Sequence, residues 1–190
     1  MTRSGFYFDS TRCVGCKTCA VACKKKNDLG LGVNFRTVSS YEIGTYPTAT
    51  FYHWSNACNH CENPACVRAC PTHAMYKDEE DGTVQHDDER CIGCGSCVIA
   101  CPYDAPVVVE GIAQKCNACI DTRDEDGAPV CVAACGMRAL DFGPYDELVA
   151  AHPDAVDKIA PMPDPSITDP SILVKARERA FDEDWRELLL

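Results

Sequence analysis

Apolar and polar positions alternate along this chain only in short bursts. "GFYFD" from Gly5, "TATFYHW" from Thr48 and "ALDFG" from Ala139 each carry the signature of a brief strand. "AMYKDEEDGTVQHD" reads as two brief strands around a polar, Gly-containing turn, and "CAVAC" and "CVIAC" as short helical turns. Past Gly143 the texture changes. "PYDELVAAHPDAVDKI" allows a short helix, "APMPDPSITDPSIL" is Pro-punctuated and reads as extended, and "KARERAFDEDWRELLL" has helical composition. No stretch holds the roughly 18 uninterrupted apolar residues of a spanning helix, so the chain is not expected to cross a membrane unaided. The pattern predicts an α+β fold of small hairpins, one-turn helices and tight loops.

Composition changes this picture at one residue type. Sixteen cysteines in 190 residues are far above ordinary usage and first suggest a disulfide scaffold. The 29 acidic against 18 basic groups give a net charge of -11, which repels a phosphate backbone and argues against nucleic acid as a partner. "MTRSGFYFDSTRC" has no apolar run of signal-peptide length, so no export signal of its own is expected.

The cysteines form a repeat. "DSTRCVGCKTCAVAC" from Asp9 aligns without gaps on "DDERCIGCGSCVIAC" from Asp87. A second kind of unit begins "CNHCENPACVRACPTHAM" at Cys58 and returns as "CNAC" at Cys116, then, after the acidic insertion "IDTRDEDGAPV", as "CVAACGMRAL" at Cys131. The two kinds alternate, giving four groups of four thiols.

Cys-x2-Cys-x2-Cys-x3-Cys puts three thiolates on one tight turn while the fourth points away along a helix; in bacterial ferredoxins that fourth Cys, followed by Pro, serves the other cluster of a pair. "CIGCGSCVIACP" from Cys91 matches this run in full. The first group carries Lys24 in the Pro slot, the second widens one gap but keeps Cys70-Pro71, and the fourth has Gly136 there. Zinc has no use for a third Cys two residues further on, and neighbours in such a run cannot all face disulfide partners. Four groups imply four 4Fe-4S clusters, each with three thiolates from one group and one from another. Two pairings are open, first with second and third with fourth, or nested; Pro slots in groups two and three alone favour the nested one.

With these groups placed, the chain resembles the four-cluster iron-sulfur subunit of the dimethyl sulfoxide reductase family, the electron-transfer partner of molybdopterin oxidoreductases. The resemblance covers residues from about 6 to 142, including C-x2-C-x4-C-x3-C-P at Cys58 to Pro71 and the spread-out fourth group, and "PDPSITDPSIL" is similar to a tail segment of that family. It implies nested pairing. One cluster would use Cys13, Cys16, Cys19 and Cys135; its neighbour Cys116, Cys119, Cys131 and Cys23; a third Cys58, Cys61, Cys66 and Cys101; a fourth Cys91, Cys94, Cys97 and Cys70. Residues 1-50 with 107-142 would form one ferredoxin-like module of the bacterial two-cluster type, 51-106 a second inserted into it, and 143-190 an extended and helical partner-binding tail.

The implied partners are a molybdenum- or tungsten-bearing molybdopterin subunit and a quinone-reactive membrane subunit. The implied place is the outer face of the cytoplasmic membrane, reached on the partner's signal, with the cytoplasm as the alternative. No Gly-rich phosphate loop or nucleophile elbow is present and the five histidines are scattered, so the chain is expected to pass electrons without catalysing chemistry. A free-standing polyferredoxin or redox sensor is the other reading. Three local expectations follow. His53, Trp54 and His60 cover a cluster or receive a quinone or haem; "DEEDG" and "DTRDEDG" are solvated turns; and the Lys24 backbone N-H, restored by loss of Pro, points at cluster sulfur.

Overall fold

The computed structural model describes residues 3-123 and 128-189. Strand β1 (Ser4–Asp9) is buried along its whole length because it is the middle of a sheet. Strand β8 (Leu140–Pro144) pairs with it antiparallel, and β9 (Ile172–Lys175) pairs on the other side, parallel. Phe6 therefore stands opposite both Phe142 and Ile172.

Strands β2 (Arg36–Ile43) and β3 (Thr50–Ala57) form a long hairpin, and β10 (Trp185–Leu188) adds to the outer edge of β2. Phe8 meets Trp54 edge to face at 5.5 Å, which locks the two sheets together. Two small hairpins complete the strands: β4 (Met75–Lys77) with β5 (Val84–His86), and β6 (Val107–Val109) with β7 (Ile112–Gln114). The β6-β7 turn has Glu110 and Gly111 both left-handed, as a two-residue type I′ hairpin turn demands.

The helices are short, and proline explains their lengths. α2 (Ala65–Arg68) and α3 (Ser96–Ala100) stop just before Cys70-Pro71 and Cys101-Pro102. Cys101 is already extended, as a residue before proline must be. α1 (Thr18–Lys26) has no such stop and runs on past Cys23. α4 (Val130–Ala133) and α5 (Tyr145–Ala151) follow. α1 lies against α4, and α2 against α3.

The tail corrects the sequence reading. "FDEDWRELLL" was expected to be helical, yet Glu178–Phe181 is only a 3-10 turn and Trp185–Leu188 is strand β10. The open edge of β2 supplies hydrogen bonds that outweigh helix propensity, and Trp185 packs edge-on against Tyr41 at 5.3 Å. Nor does the Pro-punctuated stretch stand away from the body as an extended arm. Ile159, Met162, Ile172, Val174 and Ala180 are all buried in the main core with Phe6, Phe8 and Trp54. Prolines there set the turns between buried positions.

The strands foreseen around "GFYFD", "TATFYHW", "ALDFG" and "AMYKDEEDGTVQHD" form. "DEEDG" is a turn, as read; 124-127 of "DTRDEDG" lie outside the described residues. Among the described residues no helix is long and apolar enough to cross a membrane.

Candidate metal centre

The two gapless repeats fold alike. In each, the glycine of C-x-G-C is left-handed, Gly15 at φ 68° and Gly93 at φ 66°, and the residue after the second Cys is left-handed too, Lys17 and Gly95, opening helices α1 and α3. A β-carbon at Gly15 would lie 2.5 Å from the His53 ring, and one at Gly93 only 2.0 Å from the Gly111 carbonyl oxygen. The turns leave no room for a side chain.

The other two groups share a different device. Pro64 and Pro129 stand just ahead of α2 and α4, fixing the approach to Cys66 and Cys131. After the last Cys a left-handed residue, His73 or Arg138, turns the chain back. The following backbone then donates to the sulfur: Met75 N-H to Cys70 at 3.5 Å and Ala139 N-H to Cys135 at 3.3 Å. Gly93 and Ala113 donate likewise to Cys91, and Ala118 to Cys116, each at 3.4 Å.

Cys13, Cys16, Cys19 and Cys135 line one cavity, and Cys58, Cys61, Cys66 and Cys101 another. Cys131 and Cys119 act electrostatically on Cys23, Cys131 acts on Cys119, and Cys58, then Cys131 and Cys23, act on Cys116. Cys70 acts likewise on Cys94 and Cys97, and Cys70, Cys91 and Cys97 pack around Met75, Val84 and Ala113. All sixteen cysteines are free of disulfides.

These sites suit a polynuclear sulfide core. Among the described residues no group of three or more His, Cys, Asp or Glu side chains gathers around a single-ion position. The Asn59 side-chain amide, buried without a partner for its Nδ2, lines the cavity of Cys58, Cys61, Cys66 and Cys101. Burial pushes the Cys61 and Cys66 thiols up to about 12 and Cys23 up to about 11, so as thiolates they need a compensating cation. At the solvent edge the balance reverses. The Thr18 hydroxyl 3.3 Å from Cys16, and the Ser96 hydroxyl 3.3 Å from Cys94, hold those thiols below their ordinary range.

Exposure differs among the thiols. Cys16 and Cys94 are exposed, flanked by the exposed apolar side chains Val14, Val21, Ile92 and Ile99, whereas Cys58, Cys66, Cys116, Cys119 and Cys131 are buried. Near the middle, His60 is fully buried. Its Nδ1 accepts from Val84 N-H at 2.9 Å, so the proton sits on Nε2, which faces Cys116 Sγ at 3.9 Å. Burial, then Lys115 and Arg123, hold this imidazole well below its usual pKa, in agreement with that neutral tautomer. Lys115, buried beside it, donates to the carbonyls of Val84 and Cys116.

His53, Trp54 and His60 are all buried. His53 covers the Gly15 turn of the first group, held by Ser40 at 2.8 Å. Lys24 departs from expectation. Its backbone lies inside α1, where an N-H belongs to the helical ladder, while its Nζ donates to Gly30 and Val33 carbonyls at 2.5 and 2.8 Å.

Sequence reading missed Lys115, Arg36 and the hydroxyls beside sulfur. The hydroxyls had a visible signal, Thr18 and Ser96 falling at the same place in the gapless repeat.

Fold and site together define a protein of ferredoxin-type cysteine groups built to hold polynuclear iron-sulfur centres. Residues 49-145 match the 4Fe-4S dicluster domain family and residues 10-26 a 4Fe-4S binding domain family. The protein is 46% identical over 184 residues to the B subunit of anaerobic dimethyl sulfoxide reductase from Escherichia coli (strain K12), an overlap of 92% of this sequence and 89% of that one. Against the B subunit of the same enzyme from Haemophilus influenzae it is 44% identical, with 95% and 92% covered. Thiosulfate reductase electron transfer subunit PhsB of Salmonella typhi is 44% identical over 144 residues, 73% of this sequence and 74% of that one. The chain belongs to the iron-sulfur subunits of the dimethyl sulfoxide reductase family, and it carries multiple 4Fe-4S clusters.

Proposed function

We propose that this chain is the non-catalytic electron-transfer subunit of a molybdopterin oxidoreductase complex, with four 4Fe-4S clusters in a row between a catalytic subunit and a quinone-reactive membrane subunit. The row would be held by Cys13, Cys16, Cys19 and Cys135; by Cys23, Cys116, Cys119 and Cys131; by Cys58, Cys61, Cys66 and Cys101; and by Cys70, Cys91, Cys94 and Cys97. Such clusters supply one-electron carriers without an open iron position.

The observation that carries this reading is the pair of cavities in which three thiols of one group meet the fourth thiol of a distant group, Cys135 with the first and Cys101 with the second. The packing of α1 on α4 and α2 on α3 supports the same nested order. Within the chain each residue has a passive task. The buried thiols exclude water from the middle, and the exposed Cys16 and Cys94 edges offer two approaches for partners. The names of the relatives, a dimethyl sulfoxide reductase subunit and a thiosulfate reductase electron transfer subunit, support the place in a complex.

The test is anaerobic purification from the native host, with mass spectrometry of co-purifying chains and analysis of iron, molybdenum and tungsten. A large pterin-bearing subunit and about sixteen irons per chain, four cubes of four, are expected. A solitary chain with full clusters and neither molybdenum nor tungsten would instead favour the polyferredoxin. We place the complex at the outer face of the cytoplasmic membrane, to be checked by protease protection in spheroplasts.

A further inference from the structure

Arg36 opens strand β2 opposite Ala57, and it is only 3% exposed. A buried guanidinium normally has a carboxylate partner, because a lone charge out of water is costly. Among the described residues no carboxylate pairs with Arg36. Its contacts are the Phe6 ring, 4.9 Å from the guanidinium carbon, and Ser55, whose hydroxyl and carbonyl accept from Nη1 at 3.0 and 3.4 Å. Cys19 and Cys131 are buried in the same cluster as Phe6, and the side chains that act electrostatically on the guanidinium are the thiols of Cys131, Cys116, Cys19 and Cys23, which become anionic on ligation.

Those four thiols fall on two sides. Cys23, Cys116 and Cys131 belong to one proposed ligand set, and Cys19 to its neighbour. The contact on the second side is indirect but oriented. Arginine has no acceptor, so Ser55 Oγ must accept from it, and the serine's own proton is left for Cys19 Sγ at 3.6 Å.

We propose that Arg36 is a positioning residue shared by two adjacent clusters, raising the reduction potential of one by its charge and of the other through the Ser55 hydroxyl it orients. The inference rests on the ligand sets proposed above. Reduction adds negative charge to a cluster, and a fixed neighbouring cation or a donor to ligand sulfur favours that state. With Phe6 against it and almost no exposure to solvent, the charge is little screened by salt.

The experiment is an EPR-monitored redox titration of the full chain, loaded anaerobically, with iron and acid-labile sulfide counted in parallel. Signals are first assigned with Cys13→Ser and Cys119→Ser, one from each set. Arg36→Gln is expected to shift the reduced-to-oxidised ratio of the Cys119 cluster at fixed potential at least tenfold toward oxidised, about 59 mV for one electron. The shift should persist between low and high salt. Ser55→Ala should move only the Cys13 cluster, by about threefold, the effect of one lost hydrogen bond.

Full iron loading with unmoved potentials in Arg36→Gln overturns the role of Arg36 alone. Assignments in which Cys13→Ser and Cys119→Ser perturb the same cluster overturn the ligand sets, and the inference with them. If Arg36→Gln fails to load iron, Arg36→Lys decides: restored loading with the Cys119 cluster near its wild-type ratio supports a role for charge, and failure of the lysine variant too overturns it.

Discussion

Gly15→Ala offers a graded test of how the first cysteine turn is built. The new β-carbon would sit 2.5 Å from the nearest His53 ring atom, against an ordinary carbon contact of about 3.5 to 4.0 Å. His53 cannot easily retreat, being buried and held by Ser40. Overpacking of this kind costs about 1 to 3 kcal/mol, and a left-handed alanine adds about 1 to 2 kcal/mol. The sum, about 2 to 5 kcal/mol, corresponds to at least ~25-fold faster cluster release if it falls on the opening step.

Release is measured as bleaching of the cluster absorbance under an iron chelator, a rate being the proper quantity for an irreversible loss. Adding His53→Ala should recover the overlap part and leave the backbone part, with His53→Ala alone closing the cycle. Gly93→Ala should be worse and beyond rescue by any such deletion, because its β-carbon meets the backbone oxygen of Gly111 at 2.0 Å. Gly136→Ala, next to Cys135 but with open space and no left-handed φ, should release at about the wild-type rate. If Gly15→Ala bleached no faster than Gly136→Ala, or if His53→Ala recovered nothing, the steric account of these turns would be wrong.

Two further outcomes are expected. Ile172→Ala, in the core strand β9, should cost about 2 to 5 kcal/mol, read as earlier loss of circular dichroism on heating, and removal of residues 160-189 should abolish iron loading rather than merely loosen a partner. Tyr7 is pushed up to about 12 by burial, then by Asp9 and Asp154. The folded chain thus holds that proton more tightly than the unfolded one, whose tyrosine titrates near 10. Its contribution is present below about pH 10 and is lost as pH rises toward about 12. Tyr7→Phe should flatten this alkaline loss in denaturant titrations, and an unchanged slope would count against it.

The cysteine repeat was legible because ligation fixes spacing: Cys13 to Cys23 and Cys91 to Cys101 announce their turns within eleven residues each. The helix lengths were nearly as readable, since Pro71 and Pro102 stand where the helices must end. What escaped depends on partners far away in sequence. "ILVK" at Ile172 is too short to declare itself, and it becomes a core strand only because β1 lies beside it. "WREL" carries helix-forming residues, and only the free edge of β2 makes it a strand. Arg36 sits in the polar run "NFRTVSS" like any surface arginine; its burial comes from Phe6 and Ser55. His60 was visible between Cys58 and Cys61, but its tautomer is set by Val84 in a later hairpin.

The parallel seam between β1 and β9 also imposes a calendar on biosynthesis. Chains leave the ribosome from the N-terminus at about 5 to 20 residues per second. The thiols from Cys58 to Cys101 lie in one continuous stretch and are all exposed to the assembly machinery together. Cys13, made earlier, must wait for Cys135, and the strand carrying Phe6 and Phe8 must wait longer still for Ile172 and Val174. Under the proposed ligand sets, the half formed by Cys58 to Cys101 would receive iron while the other half is still unfinished, so the segment synthesised first would be among the last to be sealed.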